Sequence, residues 1–223
     1  LRRKRGRRDR IATPSEADEL LSALADQDRA LWATAFYAGL RRVELRALRW
    51  TDIDLEAGTI RVEREWDDKE GELNEAKSEA GTRSVPLVPQ LAEELRAHMD
   101  RTGRCGQALV FGRTSADPFI PTTVRSRALR AWAAENRRRQ DKAAGKLAVA
   151  PQLLDPISLH ECRHTCASTF IGAGVSVKVI QSIMGHATAT MTLDQYGHLF
   201  GDDLAAAARR GGAGEARRAH LLH

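Results

Sequence analysis

Long apolar runs are missing from this sequence. None approaches the ~18 residues of a helical membrane span, and no apolar segment follows the basic start, so neither a transmembrane helix nor a signal peptide is expected. Cysteine is scarce. Cys105, Cys162 and Cys166 are too few, and odd in number, for a disulfide framework, which fits a reducing, cytoplasmic setting. Tyrosine is scarcer still, with only Tyr37 and Tyr196, and lysine supplies six cations against 29 arginines. A starting methionine is absent, and the first residues have the character of a linker, so the sequence reads as a piece whose N-terminal part is missing. What is present suits a folded chain: 223 residues, 42% hydrophobic and 29% charged, enough for one large domain or two small ones.

The net charge of +5 is unevenly placed. The first ten residues, LRRKRGRRDR, carry seven basic side chains and one Asp, while the rest of the chain nets −1. Such an arm is either a solvated linker or a contact to nucleic acid or an acidic partner. A second concentration lies between Thr122 and Lys146, where eight cations face Glu135 and Asp141. Its place on one predicted helix favours nucleic-acid contact.

Residues 1–12 are expected to be disordered until bound. Thr13, Pro14 and Glu16 then form a capping box with proline at the first helical position, which starts a helix. Helices are predicted near 14–24, 29–39, 42–49, 89–101, 122–140, 158–173, 176–184, 188–198 and 202–210. Residues 50–66 and 82–88 read as strands of one small three-stranded antiparallel sheet, with 67–81 polar and turn-rich. The expected class is mainly α with a small antiparallel β-sheet.

The chemistry concentrates in short segments. In SLHECRHTCASTFIGA, Ser158 and Glu161 form a second capping box. Helical spacing then puts Arg163 inside the apolar arc of Cys162, Cys166, Ala167 and Phe170, with His160 at its border. A buried arginine keeps its proton and needs an anion. Either an internal carboxylate or a bound phosphate supplies it. The same residues spell HExxH, a zinc-protease pattern. Glu161 is already explained by the cap, and Ala167 and Phe170 stand where the extended motif wants Gly and His. His186 follows Gly185 at a helix end. Tyr196 lies ten residues on, in polar surroundings where a phenol is reachable, whereas Tyr37 sits in a nearly all-apolar helix and is expected in the core. Arg41 and Glu44 are spaced as an i,i+3 pair, and Lys77 sits in a loop between strands.

In this order GLRRVEL, AKSEAGTRSVPL, LHECRHTCAS and MGH followed by LDQYGHL resemble the boxes of the tyrosine recombinase (phage integrase) family. The resemblance covers about residues 13–200. Cys162 stands where an aliphatic residue is common, and Ala76 where a proline is common. The resemblance implies a linker at 1–12, a catalytic domain at 13–200 and a C-terminal helix and tail at 201–223, without the N-terminal DNA-binding domain of family members. It implies strand cleavage and rejoining on double-stranded DNA, with no metal or other cofactor. Tyr196 would be the nucleophile, Arg41 and Arg163 the phosphate ligands, and Lys77 the acid for the leaving oxygen. His160 would act as base or orient the tyrosine, His186 would bond the phosphate, and Glu44 would fix neighbouring side chains. Arg125, Arg127 and Arg130 are the expected DNA contacts. Further protomers would join on DNA, the free chain being a monomer associated with the nucleoid and with no membrane. The rival readings are a type IB topoisomerase, a non-enzymatic DNA-binding remnant and a zinc hydrolase.

Overall fold

The computed structural model describes residues 10–75, 82–144 and 150–199. Among them lie eight α-helices: α1 (Pro14–Ser22), α2 (Asp26–Tyr37), α3 (Arg42–Ala47), α4 (Pro89–Thr102), α5 (Pro121–Ala144), α6 (Leu159–Gly172), α7 (Val177–Met184) and α8 (Ala189–Tyr196). The strands are β1 (Ile53–Asp54), β2 (Thr59–Val62), β3 (Arg64–Asp67), β4 (Glu72–Glu75) and β5 (Arg83–Pro86). The expected α+β class is what the chain adopts.

Helix α2 is the axis of the core. Its residues from Ala30 to Phe36 are all buried, and it packs against both α4 and α6. A helix apolar all round is buried on every side. The Trp32 ring meets Trp132 of α5 edge-on, at 5.1 Å between centroids. Trp132 also donates its indole N–H to the Leu20 carbonyl at 2.9 Å, so its one polar atom is satisfied inside the core. Val124, Ala128 and Trp132, spaced by four, form the buried stripe of α5, and this turns Arg125 and Arg130 outward.

The strands differ from expectation. There are two antiparallel sheets: β1-β2-β5, and a separate β3-β4 hairpin. The first has the expected alternation, with Ile60, Val62 and Val85 buried and Ile60 opposite Val85. The run from Thr59 to Asp67 breaks at Glu63, and β3 pairs with β4 inside the segment read as turn. That hairpin has no fully buried residue. Backbone pairing, a turn with Gly71 at φ 70° and the guanidinium of Arg46, 5.3 Å from the Trp66 ring centre, define it instead. Apolar periodicity therefore gave no sign of β4.

The arm is not free along its whole expected length. Arg10 donates to Asp155 at 2.8 Å and to Glu16, its backbone N–H reaches Glu161, and Ala12 N–H reaches the Thr165 hydroxyl at 3.0 Å. Residues 10–12 are thus docked on α6, correcting the expected disorder of 1–12 there. Residues 1–9 and the helix expected at 202–210 lie outside the described residues. Tyr37 is half-buried, not a core residue. Its hydroxyl donates to Asp18 at 2.8 Å because it lies at the exposed end of α2.

Candidate active site

Two glycines begin the site. Gly39 ends α2 and Gly185 ends α7, both with φ near +62°, a conformation that L side chains disfavour. The turn at Gly39 aims its carbonyl at Arg163, whose Nη1 donates to it at 2.5 Å; Nη2 donates to the Met184 carbonyl. The turn at Gly185 aims its carbonyl at Arg41 Nη2, 2.6 Å away. A Cβ at residue 39 would lie 2.7 Å from Met184 Cε and 3.0 Å from Cys166 Sγ, so glycine there also permits α7 and α6 to close on the loop.

Glu44, on the first turn of α3, organises the arginines. Its carboxylate accepts from Arg41 Nη1 at 2.7 Å and from the Arg41 backbone N–H at 2.6 Å. Arg83 forks onto both oxygens at 2.9 Å and donates Nε to the Ile183 carbonyl at 2.7 Å. Burial alone would raise the carboxyl pKa, but Arg83, Arg41 and Arg163 outweigh it and hold it down to about 2. Burial, with Arg41 second, brings Arg163 down to about 10, still protonated at neutral pH. Its immediate partners are main-chain carbonyls, and Glu44 acts on it without a direct contact. The internal carboxylate offered as one alternative from sequence is present in Glu44, whose charge favours the protonated guanidinium at a distance.

Arg41, Arg163 and His160 line a cavity of about 470 Å³ whose wall includes Trp32, Leu40 and Arg125. His186 follows Gly185, whose carbonyl holds Arg41, and its Nδ1 is 2.9 Å from the Thr192 hydroxyl. Burial, then the charges of Arg163 and Arg41, push His186 down to about 4, so it is neutral at pH 7. Its ring is nearly parallel to that of Tyr196, 6.5 Å away.

Tyr196 is only 2% exposed, correcting the expectation of a reachable phenol. It closes the last turn of α8 and shares the inward face with Thr192, four residues earlier. Its Oη is 2.9 Å from Nδ1 of His164, and Nε2 of His164 is 3.0 Å from Nε2 of His160. His160 is exposed at the cavity.

Two residues here escaped the sequence reading. Arg83 alternates inward with Val85 on β5, and a strand arginine on the core face was the available signal. His164 is the second histidine of the HExxH pattern, which gives no hint of a partner at Tyr196. Glu161, the acidic residue of that pattern, spends its carboxylate on the backbone N–H groups of Ser158 and Arg10. Among the described residues no group of three His, Cys, Asp or Glu side chains is arranged to hold a metal ion.

Lys77 lies outside the described residues. Arg125 reaches the cavity wall. Arg127 turns away and forks onto Asp28, a buried carboxylate, at 2.8 and 2.5 Å. Arg130 is exposed on the same helix. No helix among the described residues is long and apolar enough to cross a membrane.

A mainly helical body with small antiparallel sheets at one side thus gathers Arg41 and Arg83 on the buried Glu44 carboxylate, with Arg163 and Tyr196 close enough to feel each other's charge. The phage integrase family model matches residues 10–202, and the chain belongs to that family. It is 30% identical over 193 residues to the prophage integrase IntR of Escherichia coli (strain K12), covering 82% of this chain and 46% of that protein. It is 28% identical to the tyrosine recombinase XerC of Pelotomaculum thermopropionicum, covering 87% and 59%. The chain thus spans about half the length of these curated relatives. Among solved structures, the Tn1549 transposon integrase in complex with transposon right end DNA matches with TM-score 0.64 at 21% identity, over 91% of this chain and 66% of that one. XerA recombinase matches with TM-score 0.60 at 20% identity, over 91% and 65%.

Proposed function

We propose that residues 13–200 form the catalytic domain of a site-specific DNA recombinase that cuts and rejoins strands through a 3′-phosphotyrosyl intermediate. The observation that carries this reading is the run of contacts from the Tyr196 phenol through His164 to His160, which lines the same cavity as Arg41 and Arg163. A scissile phosphate in that cavity would receive both guanidiniums on its non-bridging oxygens, where charge grows during attack. The Tyr196 oxygen forms a bond to phosphorus and the 5′-oxygen leaves, taking a proton from Lys77. The ester keeps the bond energy, so a 5′-hydroxyl can reverse the step. Neutral His186 can donate a hydrogen bond to the phosphate. Glu44 fixes Arg41 and Arg83.

The test uses a pool of nicked duplexes with a randomised centre, incubated with the full chain in EDTA. A protein–DNA adduct that survives denaturation supports the reading. Chelator-sensitive cleavage with no adduct would return the zinc hydrolase.

Residues 1–12 serve as a basic linker and 201–223 as a terminal helix and tail in this proposal. Six of the first nine residues are basic, and each phosphate neutralised steepens log K against log salt by about 0.9. Deleting residues 1–9 should weaken binding and make that slope shallower by several units, as read by titration at a series of salt concentrations. An unchanged slope would place the arm off the DNA. Arg125 is the best-placed base contact. Its replacement by alanine should cost ~1–3 kcal/mol and relax preference at one base pair in a competition assay. A uniform loss across sequences would mark a phosphate contact instead. Arg127 would have to leave Asp28 to serve, and Arg130 is free to reach a backbone phosphate. Further copies join on DNA and the free chain is monomeric at the nucleoid; sedimentation without DNA checks this, a stable dimer being the contrary result.

A further inference from the structure

We propose that His164 is the group that takes the proton from Tyr196 and passes one to His160, so that the two imidazoles act as a relay from the buried phenol to the open cavity. This rests on the reading above, in which Tyr196 is the nucleophile.

The geometry is continuous. Tyr196 Oη lies 2.9 Å from His164 Nδ1, and His164 Nε2 lies 3.0 Å from His160 Nε2, both within hydrogen-bond reach. The two histidines are one helical turn apart on α6, where the Ser158 cap sets their phase. Their ring planes are nearly perpendicular, at 86°. The Gln195 amide nitrogen packs beside the ring, 3.2 Å from His164 Nδ1 and 3.4 Å from Nε2. His164 is 3% exposed, whereas His160 is exposed at the cavity.

That difference in burial explains the use of two rings. A base in contact with the phenol would have to hold a positive charge beside Arg163, away from water, which is costly. A relay avoids it. In the reactive tautomer the phenol donates to His164 Nδ1, and His164 Nε2–H donates to His160 Nε2. During attack the Tyr196 O–H bond breaks and its proton goes to Nδ1. The Nε2–H bond of His164 breaks and that proton goes to His160 Nε2. The phenolate electron pair forms the O–P bond as the P–O5′ bond breaks. His164 ends neutral with its tautomer exchanged, and the charge rests on His160 at the water-accessible cavity. In the reverse reaction Nδ1–H returns its proton to the departing phenolate.

Two substitutions test this on the adduct-forming duplexes recovered from the nicked pool. His164→Ala removes the ring, and His164→Asn keeps an amide near the Nδ1 position that can hold the phenol without relaying a proton. Both should form adduct about 100-fold or more slowly, at DNA affinity within about twofold of wild type. A duplex with a 5′-bridging sulfur, whose thiolate leaves without a proton, should restore Lys77→Ala but neither His164 variant. Adduct formation by His164→Asn within about threefold of wild type overturns the relay, as does its rescue by the sulfur substrate. If the variants do not fold, ¹⁵N-histidine spectra of wild type and Tyr196→Phe decide. The His164 Nδ1 resonance should move when the hydroxyl is removed, and an unmoved resonance overturns the proposal. Absence of adduct in the wild type would instead sink the recombinase reading itself, while the ¹⁵N comparison still reports on the hydrogen bond.

Discussion

Tyr196→Phe is expected to abolish covalent attachment to DNA and to leave DNA binding within about twofold of wild type. The substitution removes one oxygen and keeps a ring that lies parallel to His186 in the packed face of α8. The hydrogen bond at His164 Nδ1 is lost, and such a bond is worth about 0.5–1.5 kcal/mol net. The fold should therefore survive with a lowered melting temperature. Tyr37 cannot substitute, because it stands on α2 with its hydroxyl given to Asp18, and burial followed by that carboxylate raises its pKa. A denaturing gel reads the outcome, and persistent adduct in the variant would place the nucleophile elsewhere.

Glu44→Ala should have the largest effect on stability. It leaves Arg41 and Arg83 without the carboxylate they share, and Arg163 without its nearby counter-charge. Breaking a buried ion pair from one side costs about 3–5 kcal/mol, a large part of the ~5–15 kcal/mol that holds a domain together. The denaturation midpoint should fall accordingly, and adduct formation with it, because Arg41 loses the partner that fixes its fork. A midpoint unchanged in guanidinium titration would show that the cluster tolerates the loss. The acid response has a defined sign. Glu44 is lowered from 4.5 to about 2, so its contribution is present above about pH 4.5 and is lost as pH falls toward 2.

Much of this was legible from local chemistry. The capping boxes at Thr13 and Ser158 marked two helix starts, and the stops at Gly39 and Gly185 marked the turns beside the arginines. The boxes around Arg41, Arg163, His186 and Tyr196 converge on one region of the fold. What the sequence hid depends on contacts between distant residues. The salt bridge of Arg127 to Asp28 spans 99 positions, and nothing near either residue announces it. Arg83 meets Glu44 across 39 positions. The burial of Tyr196 follows from how α8 lies on its neighbours, since the residues flanking it are polar. The β3-β4 hairpin lacked an apolar face, so no period-2 signal existed to find.

Besides the Glu44 carboxylate on Arg41, backbone oxygens at Gly39, Met184 and Gly185 aim Arg41 and Arg163. Side-chain replacement at those positions cannot change the hydrogen-bonding character of the acceptor, because a peptide carbonyl is common to every residue. The usual route by which a lineage retunes a charged centre, exchanging the group that holds it, is therefore closed at three anchor points. Gly39 and Gly185 offer their carbonyls from left-handed turns, a conformation that costs other residues roughly 1–2 kcal/mol, so those two positions also disfavour substitution. On the exposed face of α5, by contrast, a new side chain changes the surface without disturbing how the two arginines are held.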